Sequence, residues 1–403
     1  PCLMIDFTGT LDMPCLRPDE LRAILQEKAA PVPEDTWLKD NETAYILFTS
    51  GSTGKPKGVQ ITTENLAAFH EGVRPFFDGM QPGGAFLNEI SYSFDVSVCA
   101  LYEALGRGLT LWTADRDTLA NPKALFELLQ RANLTDWVST PSLAELCVQS
   151  DSFRKALMPN LRQFLFCGEV LTKKLAREIM ERFPGVPVVN AYGPTETTFL
   201  VTGTEITKPM LDANDPLPIG FAFSNCEAGI FDEDGKKLPD GEAGELCLAG
   251  KTVSPGYLNR PDLNERAFFR AQQGLRGYRT GDLCRIEAGL IYYLGRLDNQ
   301  IKLNGFRVEL EDVENNLAKV SNVARAAVLP EMMDGKVVSL TAYVMLEKMD
   351  SEGSLQRARR IKQELGQLVP SYMVPRKIVA VESFPLNTNG KIDKKQLRAH
   401  RAT

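Results

Sequence analysis

The sequence predicts an α/β protein with a parallel-sheet body, a compact β subdomain and a separate α+β domain at its C-terminal end. Three observations carry this. Up to about Leu217, short apolar runs alternate with segments of helical period. Beyond Leu217, turns such as Asp232-Glu233-Asp234-Gly235, Pro239-Asp240-Gly241 and Glu287-Ala288-Gly289 separate short strands. From Leu310 a helical pattern returns. At 403 residues the chain exceeds what one ordinary core accommodates, so two or more domains are expected.

Taken in order, Thr43-Ala44-Tyr45-Ile46-Leu47-Phe48 reads as a buried strand feeding a Gly/Ser/Thr loop. Thr63 to Phe77 begins as a helix and is expected to break at Gly72 and Pro75. Thr172 to Phe183 is a clearer helix: Thr172 can cap it, Leu175, Ile179 and Phe183 share a stripe, and Pro184-Gly185 ends it. Val186 to Asn190 then reads as a strand. In the last hundred residues, Leu310, Val313, Leu317 and Val320 share a helix face, and Val323–Leu329 and Val337–Leu346 are strand-like. Ser354 to Val369 reads as a helix with Ala358, Ile361, Leu365 and Leu368 inward.

The bulk numbers exclude several functions. Hydrophobic residues make up 43% and charged residues 24%, the balance of a folded protein. A formal net charge of -6 disfavours nucleic acid and anionic membrane as main partners. The eight cysteines form no C-x-x-C pair, which argues against zinc and fits a reducing cytoplasm. No apolar run is long enough to span a bilayer.

The densest signal is Thr49-Ser50-Gly51-Ser52-Thr53-Gly54-Lys55-Pro56-Lys57-Gly58. Glycines let backbone N–H groups turn toward an anion, hydroxyls add donors, and two lysines add charge. It is not a Walker A loop, and a Gly/Ser stretch by itself also fits a solvated linker. The segment resembles the nucleotide loop of the adenylate-forming superfamily. Five further segments match in the family's order: Tyr92-Ser93-Phe94-Asp95-Val96-Ser97, Asn190-Ala191-Tyr192-Gly193-Pro194-Thr195-Glu196, Tyr278-Arg279-Thr280-Gly281-Asp282, Gly295-Arg296-Leu297-Asp298-Asn299-Gln300-Ile301-Lys302 and Pro385-Leu386-Asn387-Thr388-Asn389-Gly390-Lys391-Ile392-Asp393.

The resemblance implies a large N-terminal domain with two αβ-type sheets and a small β subdomain over residues 1–297. A small mobile α+β C-terminal lid over 298–403 would follow, hinged near Asp298. Family members carry on the order of a hundred further residues before this loop, so the first part of the large domain is expected to be missing. The implied activity uses ATP and Mg²⁺ to turn a carboxylic acid into its adenylate, then passes the acyl group to a thiol. By resemblance, Thr49, Ser50, Gly51, Ser52, Thr53, Gly54 and Lys55 hold phosphates, Thr195 contacts the α-phosphate, and Glu196 binds the metal. Tyr192 stacks on adenine with Asn190 at its edge, Asp282 accepts the ribose hydroxyls, Arg296 lies near ribose and phosphates, and Lys391 neutralises the transition state. Read without the family, Lys391 is a solvated lysine, Asp282 a turn residue, Tyr192 a core aromatic and Glu196 a helix-start carboxylate.

Asp95 points to the acid. A carboxylate in an apolar stretch is costly unless it meets a cation, and a substrate ammonium would supply one; a local helix cap is the competing reading. In Phe166-Cys167-Gly168-Glu169, Cys167 and Gly168 are expected at the substrate wall, where an apolar thiol would shorten the pocket; core filler is the alternative for Cys167. This pattern resembles the branch that activates D-alanine and charges the phosphopantetheine of a carrier protein for teichoic acid D-alanylation. A peptide-synthetase adenylation domain for another small amino acid, a non-catalytic nucleotide-binding relative and an acyl-CoA synthetase remain alternatives, the last disfavoured by Asp95.

Overall fold

The computed structural model describes residues 18–26, 32–39, 41–49, 56–79, 83–271, 274–297, 300–303, 305–333, 336–348, 352–385, 392 and 394–399. Pro1–Lys39 and Asp40–Thr403 form two compact units. In the first, the helix Pro18–Gln26 precedes a short 3-10 turn, Glu34–Thr36, beside which the Trp37 indole N–H donates to the Val32 carbonyl at 3.3 Å.

The second unit is built around a seven-stranded sheet. Thr110–Thr113, Ala85–Asn88, Asp136–Ser139, Gln163–Phe166 and Val188–Tyr192 lie side by side in parallel, and Thr202–Glu205 and Phe221–Ala222 continue the sheet antiparallel. Side-chain alternation feeds two cores. Trp137, Phe164 and Phe166 enter one face with Phe153 and Phe183, whereas Val138, Leu165 and Cys167 enter the other with Phe69, Phe77 and Phe86. The Phe153 and Phe164 rings meet Phe183 edge-on at 5.0 and 4.9 Å.

Two local expectations change here. The helix over Thr63–Phe77 is unbroken. Thr62 and Asn65 cap it reciprocally, and Pro75 falls in its last turn. Gly72 is there because the helix backs onto Phe223, whose ring would lie 2.8 Å from an added Cβ. Conversely, the strand Thr43–Thr49 is not buried: Phe48 is 63% exposed. Among the described residues it pairs with one neighbour, the antiparallel strand Lys57–Thr62, as an edge strand does. Gly256–Tyr257 completes this small sheet. The helix after Thr172 runs over Lys173–Arg182, with the Thr172 side chain accepting from the Leu175 N–H as expected.

The β subdomain is an antiparallel sheet of Cys226–Phe231, Ala243–Gly250, Arg276–Glu287 and Phe268–Arg270, with Leu290–Arg296 paired to Arg276–Glu287. Ala288 and Gly289 both have positive φ, the geometry of a tight two-residue hairpin turn. At the C-terminal end, Val323–Met333 and Lys336–Leu346 form a hairpin joined in parallel by Lys377–Ala380. The helices Leu310–Leu317 and Ser354–Leu365 cover it through Leu310, Val313, Leu317, Ile361 and Leu365. Leu368, expected inward, lies past the helix end and is 47% exposed; Val369 is buried in its place. A second hairpin, Gln300–Leu303 with Phe306–Glu309, precedes these elements. No helix among the described residues is long and apolar enough to cross a membrane.

Candidate functional site

Asp95, Gly168 and Tyr192–Thr195 all follow the carboxyl ends of parallel strands, where open α/β sheets place their ligands. They converge on a cleft of about 510 Å³. Phe94, Asp95, Gly168, Tyr192, Gly193, Thr195 and Phe199 line it from the sheet side. Asp282 and Arg296 close a second side, and Gln300, Ile301, Lys302 and Gly305 of the C-terminal hairpin a third.

Asp95 stands at the start of the helix Val96–Arg107, but its side chain makes no cap hydrogen bond. Its buried carboxylate instead accepts from the Thr195 hydroxyl at 2.6 Å. The amine-anchor and phosphate-contact residues expected from sequence are therefore in direct contact. Thr195 opens a short 3-10 turn followed by Thr198 and Phe199, both at positive φ. This is a costly backbone for residues with a side chain and marks a constrained functional loop. Gly193 makes the turn possible, because a Cβ there would lie 1.9 Å from the Phe199 carbonyl oxygen.

Asp282 is buried, and both its oxygens are engaged. Oδ1 accepts from the Arg296 guanidinium at 2.8 Å, and Oδ2 accepts from the Tyr192 hydroxyl. Asp282 and Arg296 face each other across paired strands, so the sheet register sets the contact. A carboxylate offers about four lone-pair directions, so acceptor capacity remains for a diol. Burial first, and then the Asp282 charge, push the Tyr192 hydroxyl well above its usual range, keeping it a donor. The Lys302 ammonium lies 5.4 Å from the Tyr192 ring centroid. Asn190 is buried two residues earlier in the same strand, donating to the Pro218 carbonyl at 2.8 Å.

Glu196 points elsewhere. Its fully buried carboxylate accepts from the Tyr257 hydroxyl at 2.7 Å and lies 3.6 Å from the Lys57 ammonium. No group of three or more His, Cys, Asp or Glu side chains among the described residues could cage a metal. A single carboxylate fits Mg²⁺, which binds one or two carboxylates together with substrate phosphates and water.

Cys167 packs into the core, one residue from the cleft wall. Burial pushes its thiol up to about 12, which excludes a thiolate nucleophile at neutral pH. Gly168 is part of the wall, with φ of +86° and the Val96 and Thr140 methyls 3.1 and 3.3 Å from where a Cβ would stand. Thr49 ends its strand beside the glycine-rich loop. Ser50, Gly51, Ser52, Thr53, Gly54, Lys55, the expected hinge residue Asp298 and Lys391 lie outside the described residues. Sequence reasoning gave no role to Tyr257, Phe199 or Gly305, which meet Glu196, Phe69 and Thr140 respectively, each distant in the chain.

Comparison with known proteins agrees with this geometry. Residues 3–258 match the AMP-binding enzyme family and residues 312–391 the AMP-binding enzyme C-terminal domain. A Bacillus cereus protein named D-alanine--D-alanyl carrier protein ligase is 45% identical over 367 residues, which is 91% of this chain and 72% of that protein. A Bacillus anthracis protein of the same name matches to the same extent. Among solved structures, the Vibrio cholerae adenylation domain AlmE in complex with glycyl-adenosine-5'-phosphate has a TM-score of 0.77 at 30% identity, covering 90% of this chain and 67% of that one. Holo-PA1221, a protein containing adenylation and PCP domains bound to a vinylsulfonamide inhibitor, has a TM-score of 0.79 at 28% identity, covering 96% and 64%.

Proposed function

Because this chain belongs to the AMP-binding enzyme family in both of its parts, we propose that it is a ligase that activates D-alanine with ATP and charges a carrier protein. The alanyl group then serves D-alanylation of teichoic acids. The observation that carries this reading is the Asp95–Thr195 hydrogen bond, which couples an amine anchor to a phosphate contact inside one cleft. The names of the relatives at 45% identity supply the acid and the carrier.

In the first step a carboxylate oxygen of D-alanine bonds to the α-phosphorus of ATP, and the bond from that phosphorus to the bridging oxygen breaks, releasing pyrophosphate. Two anions must approach, so fixed positive charge governs the barrier. Lys391 carries that role, with the Thr49–Lys55 loop holding phosphates. Asp282, oriented by Arg296 and Tyr192, takes the ribose diol, and Asn190 and Tyr192 take the adenine. Asp95 holds the substrate ammonium, while Gly168 forms the wall and Cys167, packed behind it, sets its depth. Mg²⁺ accompanying ATP, held by Glu196, would supply charge neutralisation at the phosphates. In the second step the phosphopantetheine sulfur attacks the alanyl carbonyl carbon, the bond to the phosphate oxygen breaks, AMP leaves, and the thiol proton passes to solvent.

Residues 298–403 act as a lid that turns about Asp298 between the two steps, bringing Lys391 to the cleft for the first and withdrawing it for the second. The cytoplasm is the proposed location. It supplies ATP, and the six free cysteines found buried among the described residues suit its reducing conditions.

ATP–pyrophosphate exchange on a panel of acids tests the reading. The strongest signal is expected with D-alanine, ahead of L-alanine and glycine. An aromatic, long aliphatic or fatty acid giving the strongest exchange would overturn it.

A further inference from the structure

The C-terminal segment touches the sheet-bearing body at two places that share one short helix, Pro141–Cys147. At its start, Thr140 meets the hairpin turn at Gly305, where an added Cβ would lie 2.9 Å from the Thr140 methyl. Phe306 beside it packs on Phe94 at 5.7 Å and stacks on Tyr372 at 4.0 Å. Further along the same helix the contact is ionic. The Lys336 ammonium lies 2.8 Å from a Glu145 oxygen and 3.0 Å from a Glu169 oxygen, and donates to the Ser142 hydroxyl at 2.8 Å. Ser142 in turn donates to that Glu169 oxygen through both its hydroxyl, at 2.6 Å, and its backbone N–H, at 3.1 Å. Lys336 is 8% exposed and Glu169 is buried.

A buried lysine on a hairpin end must be compensated, and here Glu145, Glu169 and Ser142 of the sheet-bearing body supply the compensation. Glu169 directly follows Gly168 of the cleft wall. The ion pair and the Gly305 contact therefore both engage this helix or its cap, and the Gln300–Glu309 hairpin beside them lines the cleft. We propose that Lys336 is a positioning residue for the second step: its ion pair with Glu169 and Glu145 latches the lid in the orientation that keeps this hairpin in the cleft. The inference rests on the two-step reading above. It assigns to Lys336 an effect on thiol transfer and none on adenylate formation, because the proposed first step uses the other lid orientation.

The test separates the steps. Pyrophosphate exchange with D-alanine is measured without carrier, and single-turnover transfer from preformed D-alanyl-adenylate is measured with the phosphopantetheinylated carrier. Lys336→Met is expected to slow transfer about tenfold or more while exchange stays within about twofold of the parent, since loss of the latch shifts only the lid equilibrium. Lys336→Arg is expected to restore transfer, and Glu145→Gln to slow it by a smaller factor than Lys336→Met. Equal slowing of both steps in Lys336→Met, no slowing of either, or failure of Lys336→Arg to restore transfer would overturn the proposal. Absence of exchange in the parent chain with every amino acid would sink the two-step reading and this inference with it.

Discussion

The Thr195 hydroxyl donates to the Asp95 carboxylate at 2.6 Å, across a hundred residues of sequence, and joins the proposed phosphate contact and the proposed amine anchor in one hydrogen-bonded unit. Replacing Asp95 with Asn keeps the shape and removes the charge. The KM for D-alanine in pyrophosphate exchange is expected to rise about a hundredfold, the scale of losing a charge-assisted contact in a buried site, while ATP binding by calorimetry is retained. Unchanged KM in Asp95→Asn would reassign the ammonium to another group.

Tyr192 and Arg296 hold Asp282 from its two oxygens. Tyr192→Phe keeps the ring for adenine and frees one Asp282 oxygen to rotate. The KM for ATP is expected to rise about tenfold with kcat little changed, as for a lost buried hydrogen bond. A fall in kcat at constant KM would place Tyr192 in the chemistry rather than in ATP binding.

Glu89 gives the fold a pH dependence. Burial, and then repulsion from Glu169, raise its carboxyl from the ordinary 4.5 to about 8. Its Oε1 has no hydrogen-bond partner among the described residues. The folded chain thus holds a proton that the unfolded chain releases at lower pH. The stability this provides is complete below 4.5 and is lost as pH rises through about 8. At ~1.4 kcal/mol per pKa unit, the swing is on the order of 5 kcal/mol. Glu89→Gln is expected to resemble the parent in urea unfolding at about pH 5 and to exceed its stability at about pH 9. Parallel stability curves for the two proteins would refute this origin.

Cys167, fully covered and held protonated by burial, is expected to resist thiol reagents at about pH 8 until the chain unfolds. Cys167→Gly removes volume one residue from the wall, and the preference for D- over L-alanine is expected to fall by about tenfold. Competition exchange with the two enantiomers measures it. An unaltered ratio would leave Cys167 as core packing alone.

Much of this was legible from residue order. Asn190 to Glu196 and Tyr278 to Asp282 are short continuous segments whose glycines and hydroxyls carry their own geometry, and the cleft gathers both. The helix Thr63–Phe77 was misread because local propensity counts Gly72 and Pro75 as breaks, whereas the close approach of Phe223 and the position of Pro75 in the last turn make them admissible. The strand at Thr43 was misread because an apolar run does not reveal how many neighbours it pairs with. Tyr257 beside Glu196, and Lys336 beside Glu169, join residues 61 and 167 positions apart, and no local pattern encodes such a meeting.

Gly168, Gly193 and Gly305 present bare main chain to the cleft. A designer wishing to admit a bulkier acid finds nothing to trim at those three points, and any methyl added there is a wedge. Room for a longer side chain has to be carved from bulky neighbours in the lining such as the phenyl groups of Phe94 and Phe199, so the route to a new substrate runs through the rings rather than the glycines.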